Sequence, residues 1–235
     1  MQLRGMQTDT LIVSDIHLGL PASRPSELLK FFESWSCKRI ILLGDVFNDL
    51  HFRHLCRDAH KLMDYWRFLM RRGTTELVWI MGNHDRHLAS ALKERLDIKG
   101  HETFRWNSNA KRYLALHGDQ FDPSISHFQA LPVLLSDLNS WAQRRCGLGQ
   151  GFAKTFDIIH ERFGSLSIRM PLAAAKFAGE LDCDAVVCGH THRCKRKAIS
   201  NEHGTIEYLN AGAWVGRPGH FVTVNDGVAA LLAHP

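Results

Sequence analysis

The sequence predicts a layered α/β fold, an α/β/β/α sandwich carrying a helical cap insertion, and three observations support it. Short, nearly unbroken apolar runs recur at 10–14, 39–43, 77–81, 112–116 and 184–188 and end in Gly, Asp, Asn or His, as strands covered on both faces do. Stretches with helical periodicity separate the first three. After Gly189 the pattern changes to short strands with glycine-bearing turns. Strands that alternate with helices and close in a β meander pack with sheets inside and helices outside.

In chain order, 10–14 is the first strand. Leu28, Phe31, Phe32 and Trp35 then share one face of a first helix, and Leu55, Leu62, Trp66, Leu69 and Met70 one face of a second, each helix leading into the next apolar strand. Past 112–116 and 184–188, the runs at 205–209, 221–224 and 228–232 read as the closing strands. Residues 121–180 break the rhythm. They hold no strand signal, but Leu131, Leu134, Leu135, Leu138 and Trp141 are spaced as on one helix and Phe152, Phe156, Ile159 and Phe163 as on another. Asp122-Pro123 reads as an N-cap followed by proline at the first helical position, and the glycines between 147 and 151 part the two stretches. The expected division is a core of 1–120 and 181–235 with a helical cap at 121–180. Most of the cap's apolar stripe is expected to bury itself by packing, as amphipathic helices do.

With 235 residues, the chain suits one well-buried domain carrying an insertion. Apolar residues at 45% and charged residues at 23% exclude a disordered or fibrous class. A net charge of +5 suits an anionic partner without choosing among nucleotide, nucleic acid and acidic membrane. The first ten residues lack the apolar core of a signal peptide, and no stretch approaches the roughly 18 apolar residues of a spanning helix. The expectation is a cytoplasmic protein, with contact at the periphery of the inner membrane left open. Six cysteines form no C-x-x-C pair and are expected as reduced thiols, with Cys188 in the core.

The unusual count is fifteen histidines. Several gather with carboxylates and an amide at strand ends: Asp15 and His17, Asp45, Asn83 with His84 and Asp85, His117, and His190 with His192. In open α/β sheets ligands bind beyond those ends. Oxygen donors mixed with imidazoles, without thiolate, suit Mn²⁺, Fe, Zn²⁺ or Mg²⁺ better than a structural zinc. A cation pair on such a set binds phosphoryl oxygens and acidifies water for hydrolysis. His87, His101, His127, His203, His220 and His234 are expected as ordinary core or surface residues. His51, His54 and His60 are expected in solvent, with His51 near enough to the Asp45 loop to line the pocket.

Taken together, Ser14-Asp15-Ile16-His17, Gly44-Asp45, Gly82-Asn83-His84-Asp85, His117-Gly118-Asp119 and Gly189-His190-Thr191-His192 resemble, in order and separation, the motif series of calcineurin-like metallophosphoesterases. The resemblance implies that Asp15, His17 and His192 hold one divalent cation and that Asn83, His117 and His190 hold the other. Asp45 would bridge them. His84 would contact the phosphate or protonate the leaving oxygen, oriented by Asp85. Many members carry Asp or Glu where this chain has Asn48, and a neutral amide supports its neighbours differently from a carboxylate.

Within that superfamily the chain is similar to the bacterial UDP-2,3-diacylglucosamine pyrophosphatases of lipid A biosynthesis. The segment from Leu116 to Asp122, the Gly212-Ala213-Trp214 near the end and the 73-residue step from His117 to His190, which leaves room for a cap, carry the likeness. Many of those enzymes have arginine where this chain has His84. The likeness implies an acylated sugar nucleotide as substrate, Mn²⁺ as the favoured metal and no nucleic-acid partner. The alternative is a soluble phosphodiesterase or nucleotidase acting on a small nucleotide. Ser165 and Arg169 in the cap and Arg193 just past His192 are candidate substrate contacts, and the basic run through Lys197 is otherwise a solvated strand face.

Overall fold

A computed structural model describes residues 6–48, 55–122 and 166–235. Two sheets lie face to face. The first joins β1 (Met6–Val13), β2 (Trp35–Leu43), β3 (Glu76–Ile80) and the two-residue β4 (Gly100–His101) in parallel. It continues on the other side of β1 through antiparallel β10 (Gly219–Asn225) and β11 (Val228–His234), giving the order β11-β10-β1-β2-β3-β4. The second sheet has parallel β6 (Lys111–Leu116), β7 (Ala185–Cys188) and β9 (Gly204–Asn210) at its centre. Antiparallel β5 (Thr103–Ser108) and β8 (Lys195–Asn201) flank them in the order β5-β6-β7-β9-β8.

Side-chain alternation then builds three apolar layers, because successive residues of a strand face opposite sides. Ile12, Ile41, Leu43 and Ile80 of the first sheet meet Tyr113, Ala115, Val187 and Leu209 of the second. The other face of the first sheet, with Leu11, Val13, Leu42 and Trp79, is covered by α1 (Pro25–Glu33) and α2 (Arg57–Arg72). Leu28, Phe31 and Phe32 of α1 and Leu62, Trp66 and Leu69 of α2 are buried as their spacing predicts. Gly73, left-handed at φ 65°, closes α2. Trp35 does not extend the α1 stripe. The helix stops at Ser34, and Trp35 opens β2 while still packing on the same aromatic cluster. Leu55 precedes α2 rather than belonging to it.

After the short α3 (Ala89–Leu96), the last helix among the described residues, α4 (Leu166–Glu180), covers the outer face of the second sheet. Its Met170, Ala174, Ala175 and Ala178 press on Leu114, Leu116, Val186, Cys188 and Tyr208. The four layers are those of the expected sandwich. The expected insertion at 121–180 overlaps this layer: 166–180 is built into it, and 123–165 lie outside the described residues. None of the five described cysteines is in a disulfide. No described helix is long and apolar enough to cross a membrane.

Candidate metal centre

The carboxyl ends of β1, β2, β3, β6 and β7 release their chains on one side of the sandwich, and every predicted ligand lies in the turn that follows one of them. The turns are sharp. Asp15, His17, Asp45, His190 and His192 all have positive φ, from 47° to 66°. This left-handed region is uncommon for residues other than glycine and costs on the order of 1 kcal/mol or more at each. The strain aims five polar side chains inward. Backbone hydrogen bonds hold it in place: Asp15 N donates to Gly44 O at 3.1 Å, His17 N to Asp45 O at 2.9 Å and Gly189 N to His117 O at 2.9 Å.

Three clusters of ligating atoms result, each close enough to share one ion: Asp15, His17 and His192; Asp45, His117 and His190; and His17, Asp45 and His84. In the first, His192 Nε2 is 3.1 Å from Asp15 Oδ1 and 3.3 Å from His17 Nε2. In the second, His117 Nε2 is 3.3 Å from Asp45 Oδ2. That same Asp45 oxygen is 3.9 Å from His17 Nε2, so Asp45 stands between the first two clusters. Its other oxygen accepts the His84 N–H at 2.9 Å.

Burial makes the site electrostatically demanding. Asp15, Asp45 and His117 are each at most 3% exposed. Burial alone would raise the Asp15 carboxyl, but the neighbouring His192 and His117 bring it down to about 2. Asp45 is held well below the ordinary carboxylate range against the same burial, chiefly by His117 and His84. Burial pushes His17 down to about 3, with Asp45 opposing. For His117 burial acts downward too, yet the Asp45 and Asp15 carboxylates lift it to about 10.

These residues fit a cation pair on observations of their own. Asn83 Oδ1 is buried without a hydrogen-bond partner, at a cost of about 1–3 kcal/mol for such an atom, and the polar atoms nearest Asp15 Oδ1 and His117 Nε2 are those of other candidate ligands. The donors are carboxylate, amide and imidazole, the set that Mn²⁺, Fe, Zn²⁺ and Mg²⁺ accept. Because a carbonyl can only accept, the Leu43 O contact at 3.0 Å fixes a proton on His117 Nδ1 and leaves Nε2 for a ligand.

His84 and Asp85 depart from expectation in one respect. Asp85 does not orient the His84 ring. Fully buried, it accepts from Val46 N at 3.1 Å, Phe47 N at 3.2 Å, Trp79 Nε1 at 3.3 Å and Gly82 N at 3.4 Å. It thereby ties the Asp45 loop to the Asn83 loop. Burial and the Asp45 charge raise it to about 6. The His84 ring instead rests on the Asn48 backbone carbonyl, 3.0 Å from Nδ1, so Asn48 steers this imidazole through its main chain.

Other residues support the ligands in ways the local sequence does not show. Asn210, at the end of β9, donates to Gly189 O at 2.6 Å and to Thr191 Oγ1 at 3.1 Å, bracing the His190 turn. Ser14 Oγ lies 2.8 Å from Leu43 O and beside Asp15 Oδ2, and its one proton serves one of these two acceptors. Asp122, expected as a helix cap, has its Oδ2 3.0 Å from His190 Nε2. Arg86 pairs with buried Asp119, linking the loops of Asn83 and His117. Apart from Ser14 and Asp15, these partners are 19 or more residues apart in the chain, so local sequence does not announce the contacts. Of the candidate substrate contacts, Arg169 and Arg193 are exposed and Ser165 lies outside the described residues, as do His51, His54 and His127.

Residues 9–194 match the family model for calcineurin-like phosphoesterases. The chain belongs to that family and is a metal-dependent phosphoester hydrolase. No curated protein matches it. Among solved structures, it is similar to a novel archaeal phosphodiesterase at 13% identity, with 95% of this chain and 98% of that one covered and a TM-score of 0.49. A double mutant of Vps29 from Entamoeba histolytica is 17% identical, with 96% and 99% covered and a TM-score of 0.48. A predicted phosphoesterase from Streptococcus pneumoniae TIGR4 is 13% identical, with 97% and 98% covered and a TM-score of 0.41.

Proposed function

We propose that the chain cleaves the phosphoanhydride of an acylated sugar nucleotide of the UDP-2,3-diacylglucosamine type, using two Mn²⁺ ions. The observation that carries the hydrolytic reading is Asp45, buried between two ligand clusters with one oxygen in reach of an imidazole from each. In this reading Asp15, His17 and His192 hold one cation, Asn83, His117 and His190 the other, and Asp45 both. Bound there, the pair supplies positive charge to the phosphoryl group and makes water acidic enough to ionise near neutral pH.

The protein's own groups do the rest. His84 commits Nδ1–H to the Asn48 carbonyl, and in its doubly protonated form the ring offers Nε2–H to a phosphoryl oxygen and gives that proton to the leaving oxygen, returning to the neutral imidazole. Asp85 keeps the two loops at the spacing that this contact needs. In this reading Arg193, just past His192, meets a second phosphate, and Arg169 and Ser165 fall to the sugar or its substituents.

Support for an acylated substrate comes from α4, where Ile168 and Leu172 are 65% and 52% exposed one turn apart, next to Arg169. Exposed apolar side chains rimmed by a cation suit an amphiphile and contact at a membrane's edge. Each buried acyl methylene contributes about 0.8 kcal/mol. The test is kcat/KM for acylated and deacylated UDP-glucosamine at equal metal concentration. A strong preference for the acylated form is expected. Equal values, or inhibition by the acyl chains, would end this reading in favour of a small soluble nucleotide.

A further inference from the structure

The 3.0 Å contact between Asp122 Oδ2 and His190 Nε2 buries both groups, with side chains 7% and 6% exposed. A carboxylate only accepts, so the shared proton sits on His190 Nε2. A ring nitrogen that carries a proton cannot ligate a cation. The nitrogen left for one is Nδ1, the reverse of His117, where Nδ1–H points to Leu43 O and Nε2 is open.

We propose that Asp122 is a positioning residue that fixes the tautomer and ring orientation of His190, so that the second cation is held by Nε2 of His117 and Nδ1 of His190. The inference rests on the reading of His117 and His190 as ligands. The turn that carries Asp122 makes the arrangement stiff. Asp122 ends a single 3₁₀ turn, Asp119–Phe121, that begins two residues after His117, and its N–H donates to Asp119 O at 3.0 Å. Asp119 is in turn anchored by Arg86. One short turn therefore ties the orientation of His190 to the loop of His117, although 68 residues separate Asp122 from His190. Carboxylates placed behind ligating histidines in this way typically change metal affinity 10- to 100-fold when removed.

The test uses the full chain with Zn²⁺, which is diamagnetic, as the probe. Calorimetric titration of the native protein first reports whether two ions bind; fewer than two would overturn the ligand reading itself, and this inference with it. With two bound, ¹⁵N shifts of the imidazoles should show His190 protonated at Nε2 and ligated through Nδ1. Asp122→Asn, which keeps the shape, should leave the first ion's affinity unchanged, weaken the second about 10- to 100-fold, and give His190 a mixture of tautomers. Asp122→Glu should recover part of the loss. Ligation of His190 through Nε2, or native second-ion affinity in Asp122→Asn, would overturn the proposal. Loss of the second ion in Asp122→Asn as complete as in His190→Ala would also overturn it, by making Asp122 a ligand.

Discussion

Substituting Gly82 by alanine should disable the site without unfolding the protein. Gly82 begins the turn that carries Asn83 and His84. A Cβ built there would lie 2.2 Å from Asp45 Oδ1, 2.5 Å from Asp45 N and 2.9 Å from Asp45 Cγ, where ordinary contact starts near 3.4 Å. Gly82 has no positive φ, so the added methyl acts by volume alone. Relief requires a relative shift of about 1 Å between the two loops, and the backbone nitrogen among the contacts means that rotating the Asp45 side chain does not suffice. A misplacement of that size at a reacting centre costs roughly 10²-fold in rate, while forced overpacking costs about 1–3 kcal/mol of stability. The variant should therefore stay folded in a urea titration, bind metal more weakly, and show kcat/KM on a chromogenic phosphodiester lowered about 10²-fold. Gly73→Ala is the control. It lies at a positive φ with no atom within 4 Å of the new Cβ, so it should cost about 1 kcal/mol of stability and leave activity intact. Native kcat/KM and metal affinity in Gly82→Ala would refute the claim that loop spacing around Asp45 governs the site.

His84→Ala should keep both metals and most substrate affinity while kcat falls about 10²- to 10⁴-fold; loss of an ion by metal analysis would make His84 a ligand instead. Asp45→Ala should be the most damaging ligand substitution, because one Asp45 oxygen lies within 3.9 Å of His17 Nε2 and 3.3 Å of His117 Nε2, one imidazole from each cluster, and two bound ions per chain in that variant would refute the bridge. Acid stability should depend in part on Asp184, whose hydrogen bonds from Arg112 hold its carboxyl below the ordinary range. Its stabilisation is present above the unfolded value, near 4, and is lost as pH falls through the lower folded value. Asp184→Asn should therefore flatten the acid limb of a stability-versus-pH curve below about pH 4, and an unchanged limb would count against that role. The effect should be small, since the Asp184 side chain is 39% exposed.

What the sequence made legible was whatever repeats a local rule. Apolar runs named the strands on both sides of the sandwich interior, and the five strand-end motifs placed the clusters around Asp45. What it hid depends on partners far along the chain. In β5, Phe104, Trp106 and Ser108 alternate with residues turned toward solvent, including Arg105 and Asn107, so no apolar run announces the strand. Helix α4 buries mainly alanines at 174, 175 and 178, small side chains that give a weak hydrophobic period, so the sequence alone does not separate it from the insertion before it. The role of Asp85 is hidden in the sequence because its partners are mostly main-chain N–H groups of Val46, Phe47 and Gly82, which every sequence offers and none advertises. Asp122 reads as a helix cap because Asp-Pro is a local signal, whereas His190 becomes its neighbour only when β6 and β7 pair.

The most direct test of the account is metal content measured against turnover in one preparation. After exhaustive chelation the protein should hold no divalent ion and should not hydrolyse a chromogenic phosphodiester. Added Mn²⁺ should restore activity in step with a second ion bound per chain, not the first. Full turnover by the chelated protein, or full restoration at one ion per chain, would contradict the two-metal reading of the Asp45 site.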